Sequence, residues 1–294
     1  PITKHNYFVR NANDLQRMLR EAFKLACSGR RGPVLVDIPA DVQRALIGYH
    51  ELGPVEADDP LEPSEGSLER AARLIDKAQR PFVYFGGGVV SADAGEEVVQ
   101  LARIIGAPMG CSLMGISGIP TATRNFLGME GMHGHFASTR AMNECDCLIA
   151  LGARFNDRST GYRRTFAPSG KVVHVDVDSS EFSKTLDDMA DVHGDVKSAL
   201  QRLVGLVSPN THEEWLRHIH ELSAQERGYA DYREGITPKN VMDAINRVRP
   251  EDVPVVTDVG QHQMWAAQYL SFTRPRSFIT SGGLGTMGFG LGAA

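Results

Sequence analysis

The chain has 294 residues, 42% of them hydrophobic and 23% charged, with a formal net charge of −5. Such a length allows about two domains, and the balance is that of an ordinary soluble globular protein. An acidic excess without a basic block excludes a general nucleic-acid or membrane-surface role, and no apolar run reaches the ~18 residues of a transmembrane helix.

In chain order, 1–43 opens without a start methionine or a signal-peptide pattern. Leu15, Met18, Leu19, Ala22, Phe23 and Ala26 recur at a helical period, which predicts an amphipathic helix over 14–26 that stops near Gly29. Val34 to Pro39 follows as a mostly apolar strand. Helix, short loop and strand read as the last unit of a parallel α/β domain whose earlier strands lie upstream. From Arg44 to Glu65, Pro54, Pro60 and Pro63 alternate with acidic residues, the composition of a linker.

A new unit starts near Ser67. A helix through Leu68, Ala71, Leu74, Ile75 and Ala78 feeds a strand at 81–85, which runs into Gly86, Gly87 and Gly88. Further helices are predicted near 96–105, 136–143 and 196–206, and further strands near 109–112, 147–151 and 171–177. This alternation predicts a parallel, doubly wound α/β sheet of Rossmann type over 61–207. A charged helical segment over 208–236 is expected to cross to the next domain. Thr237-Pro238 then opens a helix, threonine as cap and proline at its first position.

Ligands of parallel sheets bind at the carboxyl ends of strands. Those ends carry Gly86 to Gly88, Leu113-Met114-Gly115, the run from Gly152 through Arg154 to Arg158, and Asp176-Val177-Asp178. Glycines for close approach, arginines for a diphosphate and an acid for a ribose hydroxyl suit an adenine dinucleotide. The triple glycine alone is a weak signal, because GxGxxG is not satisfied. Arg154 and Arg158 also fit ordinary surface ion pairs. Cys27, Cys111, Cys145 and Cys147 form no CxxC pair and read as buried reduced thiols in a cytosol-like compartment. His133-x-His135 and His218-x-His220 have no acid or cysteine at ligand spacing, so no transition-metal site is predicted. His133 is expected beside a ligand and the other three at the surface.

The stretch Val253 to Ala294 is the densest in signals. Val253, Val255, Val256 and Thr257 form a strand that ends at Asp258-Val259-Gly260, followed by Gln261, His262 and the helix-prone Met264 to Ala267. Then comes Ser281-Gly282-Gly283-Leu284-Gly285-Thr286-Met287-Gly288. Glycine at this density suits a backbone that approaches a ligand, although an ordinary pair of βα turns and a core methionine also fit.

The words GQHQMWAAQ and SGGLGTMGFG resemble the diphosphate-binding domain of thiamine-diphosphate enzymes, specifically the acetolactate (acetohydroxyacid) synthase catalytic subunits. ITKHN and GPVLVDIPADV resemble the end of that family's pyrimidine-binding domain. LMG, GMHG, GARFNDRSTG and HVDVDSSE resemble its flavin-contacting segments. The resemblance implies a three-domain architecture of doubly wound parallel sheets. Its first domain (1–43) and third domain (237–294) are incomplete here, with linkers at 44–60 and 208–236. It further implies that Gln261 and His262 hold phosphate oxygens of thiamine diphosphate. The Gly285 backbone would accept from the cofactor's 4′-amino group, and Met287 would wedge under its bend. FAD would be met by Arg30, Gly87, Ser112, Leu113, Gly131, Met132 and His133. Gly152, Arg154, Asp176, Val177, Asp195 and Val196 would complete its contacts with the central domain, and Gly282 and Gly283 would meet it from the last segment. Arg158 is expected at the substrate.

The implied reaction decarboxylates pyruvate and joins the two-carbon unit to a second 2-keto acid, pyruvate or 2-ketobutyrate, in branched-chain amino acid biosynthesis. Mg²⁺ is implied with ligands outside this chain, and so is the activating glutamate, which predicts that these residues alone are inactive. A homodimer or homotetramer with a small regulatory subunit is the implied assembly, cytoplasmic or in a plastid or mitochondrion. Rival readings are another carboligase, such as glyoxylate carboligase, and a non-catalytic flavin-binding module. The sequence departs from the family at Arg31, Ala40, Glu130, Asn156 and Gly292. A carboxylate beside a flavin is costly if buried, so Glu130 is expected to face solvent unless the local geometry differs.

Overall fold

The computed structural model describes residues 2–56, 58–161, 171–182, 189–231 and 235–294. They form two compact units, Pro1–Leu61 and Glu62–Ala294. In the first, β1 (His5–Phe8), α1 (Leu15–Cys27), β2 (Val34–Asp37) and α2 (Ala40–Arg44) surround a small core of Val9, Ala12 and Val42. β1 and β2 pair in parallel, His5 opposite Val34. Cys27 lies exposed on α1, which corrects the expectation that all four cysteines are buried. One residue after Ala26, it falls off the apolar stripe of its helix.

The second unit continues with α3 (Glu65–Asp76), β3 (Pro81–Phe85), α4 (Gly87–Ala92), α5 (Gly95–Ile104), β4 (Met109–Cys111) and β5 (Phe126–Met129). Next come α6 (Phe136–Glu144), β6 (Cys147–Leu151), α7 (Asp157–Thr160), β7 (Lys171–Asp176), β8 (Met189–His193) and α8 (Val196–Leu203). The strands form one all-parallel sheet in the order β5-β4-β3-β6-β7-β8. Renumbered from β3, that order is 3-2-1-4-5-6, the Rossmann arrangement, with its switch point between β3 and β6.

β3 and β6 are buried along their whole length, as continuous apolar runs require. The pleat sorts their side chains. Val83, Phe85, Ile149 and Leu151 pack with Leu68, Val98 and Leu200, from α3, α5 and α8. Phe82, Tyr84, Leu148 and Ala150 pack on the opposite side. That second face is closed by α6 and by α9 (Glu213–Asp231), the segment expected only to cross between domains. Its Trp215 and Ile219 are buried, and Trp215 Nε1 donates to the Pro81 carbonyl at 3.0 Å.

The rest of the chain is α10 (Pro238–Val248), β9 (Val255–Thr257), α11 (Gln261–Tyr269), β10 (Phe278–Thr280) and α12 (Phe289–Ala293). Thr237 and Asn240 close a reciprocal cap at the start of α10. Met242, Ala266, Leu270, Phe272 and Phe278 join the same core as the large sheet. Among the described residues, no helix is long and apolar enough to cross a membrane.

Of the three histidines expected at the surface, His220 is exposed while His218 and His135 are half-buried, and all three join elements. His218 meets Glu144 at 2.7 Å, and His220 meets Asn125 at 2.9 Å. His135 is half-buried between Glu226 Oε1 (3.0 Å) and the Gln268 carbonyl (3.2 Å). Glu226 also accepts from the amides of Phe136 and Ala137, so α9 supplies the N-terminal cap of α6. Burial alone would raise the Glu226 carboxyl, but the His135 bond and the two amides outweigh it and hold it below the usual range. Glu226→Ala removes the cap and the ion pair together. It should cost about 2 kcal/mol in urea unfolding, with hydrogen exchange in α6 accelerated first.

Candidate functional site

The β9–β10 pair builds the first candidate site. Its strands are parallel, Val255 opposite Phe278 and Thr257 opposite Thr280, so both following loops leave from one edge. Gln263 Nε2 donates to Thr280 Oγ1 at 2.7 Å, and Thr257 Oγ1 lies 2.8 Å from that same oxygen. These buried bonds fix the start of α11 to both strand ends. The helix therefore begins at Gln261, earlier than the apolar run alone suggested, because Gly260 at φ 148° turns the chain directly into it. Gln261 and His262 are exposed on its first turn, where backbone amides have no intrahelical partner. Amides plus polar side chains at a helix start form a donor set suited to a diphosphate.

The loop after β10 stands open beside that helix start. Gly285 N donates to the Ser281 carbonyl (3.1 Å) and Thr286 N to Ser281 Oγ (3.0 Å). Gly288 N donates to Asp258 at 2.9 and 3.0 Å. Gly285 (φ 63°) and Gly288 (φ 89°) adopt left-handed backbone, and a Cβ on either would meet nothing within 4 Å. Met287 between them is 78% exposed. Within these residues the side chain joins none of the buried core clusters.

The second candidate site lies at the switch point of the large sheet. A Cβ on Gly88 would stand 2.5 Å from Gly152 Cα, so those glycines let the β3 and β6 ends meet backbone to backbone. Asn156 Oδ1 accepts from the amides of Arg158 (2.9 Å) and Ser159 (3.1 Å), the capping role an aspartate could also fill at that position. Met132 N donates to the Arg158 carbonyl (3.0 Å), which ties the Gly131–Gly134 turn to the arginine loop. Arg154 and Arg158 are exposed, and neither has an ion-pair partner among the described residues. Two exposed guanidinium groups at this rim suit an anion, the reading set beside ordinary surface ion pairs.

Other expected contacts are placed variously. Gly87 adjoins Met114, and Gly282 packs on Leu113 and Met114, so the open loop after β10 reaches the turn that follows Ser112. Gly283 faces open space, while Met132 and His133 are exposed and Val177 is half-buried. Asp176 is buried and accepts from Asp178 N at 2.8 Å. Asp195 caps α8 through Ser198 N at 3.0 Å. Val196 has its side chain in the core and offers a ligand only its backbone. Arg30 is exposed in the first unit.

Glu130 is the residue whose environment differs most from expectation. It is 5% exposed, beneath the turn it begins. Burial pushes its carboxyl up to about 8, while the nearby Tyr84 and Ser159 hydroxyls draw it partway back. Oε1 has no hydrogen-bond partner. Of the two alternatives the sequence left for Glu130, solvent or a different local geometry, the second holds, and Asp258 carries no local mark of its role.

A Rossmann-ordered domain beside a glycine-loop unit with a diphosphate donor set defines a cofactor-binding α/β enzyme. Residues 68–203 match the family described as "Thiamine pyrophosphate enzyme, central domain", and residues 258–294 match "Thiamine pyrophosphate enzyme, C-terminal TPP binding domain". Over its full length the chain is 40% identical to the acetolactate synthase large subunit of Corynebacterium glutamicum, covering 49% of that protein. Over 99% of its length it is 41% identical to the acetolactate synthase isozyme 2 large subunit of Escherichia coli, covering 53% of it. It is also 40% identical over its whole length to acetolactate synthase 1, chloroplastic, of Zea mays, covering 48%. The chain belongs to the thiamine pyrophosphate enzyme family and spans about half the length of the curated relatives it matches, which are acetolactate synthases.

Proposed function

We propose that the whole protein carrying these residues is an acetolactate synthase, decarboxylating pyruvate and joining the two-carbon unit to pyruvate or 2-ketobutyrate. The observation that carries this reading is the β9–β10 edge, where an exposed helix start and an open glycine loop bearing Met287 are tied together. Bound thiamine diphosphate would supply the nucleophilic carbon and the electron sink for the decarboxylation. This chain's part is to hold the diphosphate with Gln261, His262 and the α11 amides, and to shape the ring's surroundings with Gly285 and Met287. Mg²⁺ belongs to the same proposal, but no three His, Cys, Asp or Glu side chains converge among the described residues.

FAD is the proposed second ligand, lying across the β3–β6 switch point without a redox part in turnover. The exposed Arg154 and the loops at Gly87, Ser112 and Gly131 support that placement, with Arg158 proposed at the substrate. The functional domains proposed are 61–207 and 237–294, with 208–236 between them, together with 1–43 and the linker 44–60. The assembly proposed is a homodimer or homotetramer with a small regulatory subunit, which the "large subunit" names of two relatives support. A cytoplasmic setting, or a plastid or mitochondrial one in a eukaryote, belongs to the same proposal, the plastid case supported by the chloroplastic name of the Zea mays relative.

The whole protein, given pyruvate, thiamine diphosphate, Mg²⁺ and FAD, should release carbon dioxide and form acetolactate. Carbon dioxide without acetolactate would identify a simple decarboxylase and end the proposal. Arg154→Ala should weaken FAD binding roughly fivefold, about 1 kcal/mol for an exposed, screened cation, with the far-UV spectrum unchanged. Unaltered affinity in a flavin-fluorescence titration would remove Arg154 from the site.

A further inference from the structure

We infer that Asp258 is a positioning residue: its carboxylate fixes the span between the start of α11 and the Met287 loop. The inference rests on the thiamine-diphosphate reading of that edge. Met287 stands between two anchors. On one side Thr286 N is held by Ser281 Oγ at 3.0 Å, within the loop's own strand end. On the other side Gly288 N is held by both oxygens of Asp258, at 2.9 and 3.0 Å, from 30 residues away. Asp258 Oδ1 also accepts from Val259 N at 2.9 Å, which orients the carboxylate from its own strand end.

The contact is close enough to act as a spacer. A Cβ on Gly290 would lie 2.8 Å from Asp258 N, so the chain beyond Gly288 rests directly on the end of β9. Gly288 is the N-cap of α12, and its own amide is the one that Asp258 accepts from another strand. Asp258 is also two residues from Gly260, where α11 begins. One carboxylate therefore ties the Met287 loop to the strand end that leads, two residues on, into the N-cap of α11. A charged acceptor on a backbone amide is stronger and shorter-ranged in its tolerance than a neutral one.

Such a residue should matter to a ligand that uses both ends and little to one that uses only the helix start. Two probes separate these cases on the whole protein: thiamine diphosphate and inorganic diphosphate, titrated by intrinsic fluorescence, with Trp265 on α11 as a reporter. Asp258→Ala should weaken thiamine diphosphate by about tenfold, as loss of a charge-assisted bond implies, and leave inorganic diphosphate within about twofold. Asp258→Asn keeps one acceptor oxygen for Gly288 N and should recover most of the loss; it also serves as the working variant should the alanine protein not fold. Equal weakening of both probes would show that Asp258 merely supports α11, and unchanged thiamine diphosphate affinity in both variants would show that it positions nothing. A parent protein that binds inorganic diphosphate but not thiamine diphosphate would overturn the underlying reading, and this inference with it.

Discussion

Met287→Ala in the whole protein is expected to lower acetolactate formation by at least ~10-fold, about 1.4 kcal/mol of barrier, without unfolding it. Within these residues the side chain is 78% exposed and joins no buried core cluster, and thermal unfolding should shift little in the alanine variant. Its flanks are fixed at Thr286 and Gly288, so the loop should keep its course when the side chain is shortened. What disappears is an unbranched, polarizable apolar arm held in open space where the proposed ring end would lie. Met287→Leu conserves volume and should keep most of the activity. The loss in the alanine variant should appear in kcat more than in the binding of thiamine diphosphate, because the diphosphate is held elsewhere, on α11. Alanine turnover equal to that of the parent would show that Met287 is only a surface residue.

A second large effect is expected from the buried carboxyl of Glu130, in stability and its dependence on pH. Burial raises the folded-state value to about 8 from an ordinary 4.5. Below about pH 4.5 the group is neutral in both states and costs little through ionisation. As pH rises toward 8 the unfolded chain releases the proton while the folded one retains it, so stability falls with pH. The slope is ~1.4 kcal/mol per pH unit, and the total reaches up to about 5 kcal/mol above pH 8. The adjacent Tyr84 phenol, whose own ionisation is pushed up first by burial and then by Glu130, stays neutral throughout. Glu130→Gln should flatten this component, and Glu130→Leu should do so while also removing the unpartnered Oε1. Urea unfolding at pH 5.5, 7 and 8.5 provides the measurement. The gap between the leucine variant and the parent should widen with pH, whereas parallel curves would mean that Glu130 reaches water.

The parts legible in the sequence were those whose signal is local. The continuous apolar runs at 81–85 and 147–151 are strands with both bounds matched, because a strand covered on both faces needs no polar alternation. The stripe through Leu15, Met18 and Ala22 gave α1, and Thr237-Pro238 gave the start of α10, since period and cap chemistry act within a few residues. The wording from Gly260 to Gly288 identified the family before any coordinate was needed.

Tertiary structure alone decided the rest. β5 contains Gly128, and β8 carries Asp191 and His193; neither sequence is a strong strand, and both are strands because β4 and β7 offer them edges to pair with. α9 is charged along most of its length, and only packing shows that Trp215 and Ile219 close a face of the sheet. Glu130 is buried because Tyr84 and Ser159, distant in sequence, converge on it. The Asp258 bond to Gly288 spans 30 residues and exists because β9 and β10 pair in parallel. Residue type and spacing report what the chain does over a few residues. Which distant groups share a dry space, and so which carboxylate is held neutral and which becomes an anchor, is fixed only when the sheet brings them together.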